Sequence, residues 1–176
     1  VLINNVQGAY IATRKLLDSG HTKIGYLRSR TPINNFKERA DGYFKALRSA
    51  KISTVDPPYI FRVSPTMEGA YHDMKEILSQ SPELPTAFFA DNDVIAASCV
   101  RALKEYGVRI PEDVSIIGFD NTAMSEILEP PLTTMHVPKE RLGALAVDRL
   151  ISKIKGESDE IVKIEISTQL IERESI

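Results

Sequence analysis

The sequence predicts an α/β fold, an open parallel β-sheet with helices on both faces, and three observations carry that prediction. Short β-rich runs alternate with amphipathic stretches of helical period along the whole chain. The helical stretches between strands are of about 10–15 residues, the length that returns a chain to a parallel neighbour. Thr86-Ala87-Phe88-Phe89-Ala90 is a continuous apolar run, as expected of a strand buried on both faces.

Taken in order, Val1-Leu2-Ile3 opens as a short apolar run. Asn4 or Asn5 then caps a helix carrying Val6, Ala9, Thr13, Leu16 and Leu17 on one face, and Gly20 stops it. Ile24-Gly25-Tyr26-Leu27 reads as a strand and residues 28–35 as a polar loop. Phe36, Ala40, Tyr43 and Leu47 mark a second helix. Tyr59–Val63 is the next strand. Pro65 is well placed near the start of the helix that carries Met67, Ala70, Met74, Ile77 and Leu78. After the strand at 86–90, Asp91 or Asn92 caps a helix running to Gly107. Val114–Phe119 is another strand, followed by a Pro-containing loop at 120–132. Thr133–Val137 is strand-like, and Pro138 begins a long helix to about Lys155 that Gly156 ends. Ile161–Thr168 closes as a last strand rich in β-branched residues.

Composition narrows the functional classes. At 176 residues, with 43% hydrophobic and 26% charged side chains, the chain has the profile of one globular domain. No apolar run approaches the ~18 residues of a membrane span, and no signal-peptide pattern opens the sequence. The formal net charge is −2 and no basic stripe appears, which argues against DNA binding by this chain. Cys99 is the only cysteine, so an intrachain disulfide is excluded and a cytoplasmic location is expected. His21, His72 and His136 are scattered singly, so neither a metal nor another cofactor is expected.

In an open parallel sheet, ligands bind beyond the carboxyl ends of the strands. There the sequence places Arg28 to Asn35 with Arg39 just inside the next helix, Ser64, the run Asp91-Asn92-Asp93, and the pair Asp120-Asn121. This set suits a molecule rich in hydroxyls: a carboxylate accepts from adjacent OH groups, an amide donates and accepts, and a guanidinium donates through a fixed fork. Each Asp or Asn taken singly is better explained as a helix cap; convergence of four strand ends favours a site. An enzyme reading also exists. Phe88-Phe89-Ala90-Asp91-Asn92-Asp93 resembles the strand and Asp-x-Asp start of haloacid-dehalogenase-type phosphatases, with Asp91 as nucleophile. However, Val94-Ile95 replaces the Thr-rich continuation, and Gly118-Phe119-Asp120-Asn121 does not supply the later paired acids that would hold magnesium.

A wider resemblance covers nearly the whole chain. Gly8-Ala9-Tyr10-Ile11-Ala12-Thr13, the run from Gly20-His21 to Leu27, and Glu38-Arg39-Ala40-Asp41-Gly42-Tyr43 appear in the order found in LacI/GalR-type transcriptional regulators. Pro85 to Asp93, Ile110-Pro111-Glu112-Asp113-Val114-Ser115 through Asp120, Pro130-Pro131-Leu132-Thr133-Thr134 and Glu172-Arg173-Glu174-Ser175 continue that order. The resemblance implies an effector-binding domain similar to periplasmic sugar-binding proteins, in which two lobes clamp one small molecule. It places residues of about 4–131 and 161–176 in the C-terminal lobe and has 133–156 returning to a largely missing N-terminal lobe, with the DNA-binding head absent. It implies a non-enzymatic, homodimeric repressor that senses a sugar or sugar derivative and meets operator DNA only in the intact protein. Arg39 and Asp120 match the effector-reading arginine and aspartate, Asn92 a second hydroxyl reader, and Asn35 a weaker contact. Ser64 stands where many relatives carry an aromatic platform for the sugar ring. A solute-binding protein of a transport system is the alternative with the same clamp.

Other conspicuous residues have plain structural readings. His21 follows a helix-ending glycine and is expected to pack or cap. Cys99 sits beside Ala96, Ala97 and Val100 as a small buried hydrophobe. Lys153 to Glu160 reads as a solvated, charge-rich turn.

Overall fold

The computed structural model describes residues 1–54, 59–157 and 160–176. In chain order the elements are β1 (Leu2–Ile3), α1 (Asn5–Asp18), β2 (Ile24–Ser29), α2 (Asn34–Ser49), β3 (Ile60–Val63), α3 (Met67–Ser79) and β4 (Ala87–Ala90). There follow α4 (Asp93–Glu105), β5 (Ser115–Asp120), α5 (Ala123–Ile127), β6 (Thr133–His136), α6 (Lys139–Ile154), β7 (Glu165–Ile166) and β8 (Gln169–Ile171).

Six strands form the main sheet in the order β3-β2-β4-β5-β6-β8. All neighbours are parallel except β8, which runs antiparallel to β6. Alternation along the strands divides the core into two layers. Tyr26, Phe89, Ile117, Phe119 and Met135 pack with Ala9, Ala12 and Leu16 of α1 and Ala40, Tyr43 and Leu47 of α2. Leu27, Phe61, Phe88 and Ile116 pack with Ala70, Met74 and Leu78 of α3 and Ile95, Cys99 and Leu103 of α4 on the other face. Phe88 and Phe89 therefore serve opposite layers, as a doubly covered strand requires. On the first of these faces α1 and α2 approach so closely that a Cβ at Gly42 would meet the Val6 carbonyl.

The ends of the helices follow local chemistry. Asn4 accepts from Gln7 N at 3.0 Å and caps α1, Thr66 accepts from Gly69 N and caps α3, and Asn92 accepts from Ile95 N at 2.9 Å and caps α4.

Three expectations need correction. The closing strand expected at 161–168 is instead two short ones. β7 pairs with β1 in a separate two-stranded parallel ribbon, and β8 enters the main sheet antiparallel, so the sheet is not wholly parallel. Thr168 between them is buried, and a chain that must leave the ribbon and turn into the sheet cannot run straight through it. The segment 133–137, expected to cross to another lobe, is part of this sheet: β6 lies between β5 and β8, and only the chain after Val137 departs. The loop at 120–132 contains the short helix α5, whose five residues are too few to show a period.

Residues 173–175 seal β6 against β5. Ser175 accepts from Thr133 N at 2.8 Å, donates through Oγ to the Ile116 carbonyl at 2.6 Å, and receives Ile116 N on its own carbonyl at 2.7 Å. Arg173 donates to the Leu132 carbonyl at 2.8 Å and to Asn121 Oδ1 at 2.9 Å. By contrast α6 has no buried residue, and Val147, Leu150, Ile151 and Ile154 face outward. Of the charge-rich stretch at 153–160, residues 158 and 159 lie outside those described.

Candidate effector site

The carboxyl edge of the sheet is organised around one buried guanidinium. Arg39 lies in the second turn of α2, and α2 starts directly after the loop from β2, which aims its first turns at the strand ends. The side chain is only 3% exposed. Its Nε donates to Asn5 Oδ1 at 3.0 Å, one Nη donates to the Asp91 carbonyl, and Nη2 donates to Asp120 Oδ1 at 2.9 Å. The guanidinium stacks on the Phe119 ring at 3.8 Å, a cation–π contact strengthened by its burial. A buried charge is tolerated where it is paired and hydrogen-bonded, and each of the three Arg39 nitrogens has an acceptor.

Asp120 ends β5 with φ of 102°, and Asn121 follows with φ of 47°. Positive φ at two successive non-glycine residues costs on the order of 1–3 kcal/mol each and is concentrated at functional sites. The Asp120 side chain stays 27% exposed while bound to Arg39. Desolvation raises its carboxyl above the ordinary range, opposed by the charge and hydrogen bond of Arg39 and by the charge of Lys139. Asp120 thus presents a strained, ionic acceptor at the mouth of the sheet. Beside it a cleft is lined by Asn121, His136, Val137, Pro138 and Lys139, with Asn121 Nδ2 and His136 Nδ1 at 3.2 Å.

Two further acids at this edge are structural. Asp91 is fully buried: its carboxylate accepts from Tyr26 OH and from Ser29 N, the latter at 2.7 Å, and burial pushes its pKa up to about 6. Both oxygens are engaged inside the core, which closes them to any substrate and removes the nucleophile of the phosphatase reading. Asp93 accepts from Thr122 N at 2.7 Å and Thr134 Oγ1 at 2.6 Å, tying α4 to β6 and to the loop after β5. A Cβ at Gly118 would collide with its Oδ1, so the glycine makes room for that carboxylate.

Among the residues singled out from sequence, the structure joins Arg39 and Asp120 directly. Asn92 is adjacent to Asp91, whose carbonyl Arg39 holds, and its Oδ1 is occupied by the α4 cap while its amide nitrogen is not. Ser64 is set apart, since β2 lies between β3 and β4; its N donates to Asp73 Oδ2 at 2.7 Å and its hydroxyl meets Thr66 Oγ1 at 3.1 Å. Asn35 is exposed one turn before Arg39 on α2. Asn5 and Phe119, which shape the arginine, were not singled out as site residues. Phe119 looks like any apolar strand residue in sequence, and Asn5 could be recognised only as an unexplained amide beside a neighbour that already caps.

With this geometry in hand, the comparisons with known proteins are specific. Residues 13–176 match the model of the periplasmic binding protein-like domain family. The chain is 36% identical over 176 residues to the HTH-type transcriptional repressor PurR of Aliivibrio salmonicida, covering 100% of this chain and 52% of that protein. It is 39% identical over 173 residues to PurR of Pasteurella multocida, covering 98% and 51%. Among solved structures, a transcriptional regulator CelR–cellobiose complex superposes with a TM-score of 0.90 at 32% identity, over 98% of this chain and 52% of that one. A LacI family regulator from Enterococcus faecium with bound ribose gives 0.89 at 31%, over 98% and 63%. The chain therefore spans about half the length of the curated relatives it matches.

Proposed function

Because this chain belongs to the periplasmic binding protein-like domain family, in the form carried by LacI-type transcriptional regulators, we propose that it is an effector-sensing lobe of such a regulator. The observation that carries this reading is the Arg39–Asp120 pair at 2.9 Å, held by a buried frame with one carboxylate edge open. Such a pair suits a hydroxyl-rich effector, a sugar or sugar derivative: Asp120 accepts from a hydroxyl while Arg39 fixes the carboxylate and donates to the same molecule. Cellobiose and ribose in the two superposed regulators support the choice of a sugar, and the purine repressors among the sequence relatives supply the competing class.

In a protein of its relatives' length, the effector would be clamped between this lobe and a second one. Closure would change the spacing of two DNA-binding heads in a cytoplasmic homodimer, so that effector and operator are linked through the lobe angle. The lobe itself would read the effector without doing chemistry on it. A thermal-shift screen of this chain against pentoses, hexoses, disaccharides and purines tests the reading. A rise in melting temperature with a sugar, lost in Asp120→Ala, is expected. A response confined to purines, or one indifferent to that substitution, would overturn it.

A further inference from the structure

Asn5 is 2% exposed at the first position of α1. Its Oδ1 accepts from Arg39 Nε at 3.0 Å, and its Nδ2 donates to Glu38 Oε2 at 2.8 Å and to the Ile3 carbonyl at 3.4 Å. These partners fix the amide's orientation, because a guanidinium N–H can only donate and an ionised carboxylate can only accept. Capping does not explain the residue, since Asn4 already caps α1. Nor does helix propensity, in which Asn ranks low. A buried amide costs free energy unless each of its groups finds a partner, and here the partners are the site arginine on one side and the β1 backbone on the other.

The other neighbours of Asn5 belong to the ribbon. Leu2 N donates to the Ile164 carbonyl at 2.7 Å and Asn4 N to the Ile166 carbonyl at 2.9 Å. Within residues 2–5 the chain thus grips β7 through its backbone and Arg39 through one side chain. Arg39 is a rigid plate, planar by its electronic structure, stacked at 3.8 Å on Phe119 and bonded along its edges. A change of load at the edge facing Asp120 is felt at the edge facing Asn5. Asn5 cannot follow without shifting the Ile3 carbonyl or releasing Glu38.

We infer that Asn5 is a positioning residue that couples the Arg39–Asp120 pair to the β1–β7 ribbon, the place where the chain leading into α1 meets the chain returning from α6. The inference rests on reading that pair as the effector contact, and it assigns the path by which occupation of the site reaches the ribbon. An effector oxygen that draws on Asp120 or adds an acceptor to Arg39 would alter the ribbon's stability through this one amide.

The test needs no effector, so its outcome is separate from that of the effector reading. In isotopically labelled chain, hydrogen exchange at the Leu2 and Asn4 amides reports on the ribbon, and the Arg39 Nε–H resonance reports on the contact with Asn5. Asp120→Ala is expected to speed both amides by about threefold to tenfold, the effect of about one net hydrogen bond, and to move the Arg39 resonance. In an Asn5→Ala background the same substitution should leave both amide rates unchanged, because the pair no longer shares a partner with the ribbon. An equal response in both backgrounds, or none in either, overturns the proposal. Should Asn5→Ala not fold, Glu38→Ala withdraws one amide acceptor from a half-buried position; the response to Asp120→Ala must then weaken, and an undiminished one overturns the proposal. Intact coupling with no sugar-dependent thermal shift would refute the effector reading alone.

Discussion

Arg39 on α2 and Asp120 at the end of β5 lie 81 positions apart in sequence and meet at 2.9 Å, the arginine buried and the aspartate partly open to solvent. Their bond is a structural contact and, on the proposed reading, half of a binding site, so substitutions there are expected to move stability and binding together.

Asp120→Ala should lower unfolding free energy by about 1–3 kcal/mol, because it leaves a buried guanidinium short of one acceptor. For a chain of this size that is a fall of about 3–10 °C in melting temperature. Asp120→Asn should cost less, since Asn retains an acceptor and tolerates positive φ. Thermal unfolding of both variants checks this; equal losses would mean that the carboxylate's charge facing Arg39, rather than a retained acceptor, carries the contribution.

Asn92 separates two roles in one side chain. Asn92→Ala should cost about 0.5–2 kcal/mol through loss of the α4 cap. Asn92→Asp keeps an acceptor for Ile95 N and should preserve most of that stability while removing the amide donor available to an effector. If Asn92→Asp retains both stability and sugar response, capping is the whole of its role.

Asp91 gives a pH signature. Burial holds its carboxyl up at about 6, above its value in an unfolded chain, so the folded state binds the proton more tightly. Its contribution is fully present below the ordinary carboxylate range and is lost as pH rises through about 6, to an extent of about 3 kcal/mol at most. Asp93 and Asp120, also raised by burial, act with the same sign. Urea unfolding between about pH 4 and pH 7 should show a falling contribution that is smaller in Asp91→Asn; an identical pH profile in that variant would refute the assignment.

The outer face of α6 should drive self-association. Leu150 is 59% and Ile154 76% exposed, near Val147 and Ile151 on a helix with no buried residue. Hiding such side chains is worth ~1.5–3 kcal/mol each. Sedimentation at micromolar concentration should report a dimer or larger, and Leu150→Glu with Ile154→Glu should shift it to monomer. A monomeric unsubstituted chain would refute the expectation.

Much of this architecture was legible because it depends on local period. The two-layer core follows from alternation along 86–90 and 114–119, and the helices from their apolar stripes. The split of the closing segment between ribbon and main sheet was not legible: Glu165–Ile166 and Gln169–Ile171 are too short to carry a period, and their separation is set by where β1 and β6 offer free edges. At the site, Arg39 and Asp120 stood out as polar residues at strand ends. Ser64 did so equally, yet turns into its own helix start, because position after a strand does not reveal which hydrogen-bond partners lie nearest. Asn5 and Asp91 are defined by contacts made across 34 and 62 positions, which no local pattern records.

The seal that Ser175 forms between β5 and β6 also sets an order of events during synthesis. The N–H groups of Ile116 and Thr133 and the Ile116 carbonyl find their partner in a residue translated 42 to 59 positions later. While the ribosome is still adding those residues, two adjacent strands carry backbone groups with nothing to bind, and the flank of β6 that β8 will occupy lies bare. Such an edge is a template for pairing with another chain. A chain released before residue 169 would therefore hold nearly all of its core and still expose that edge, and completion of the lobe is deferred until Gln169 to Ser175 have emerged.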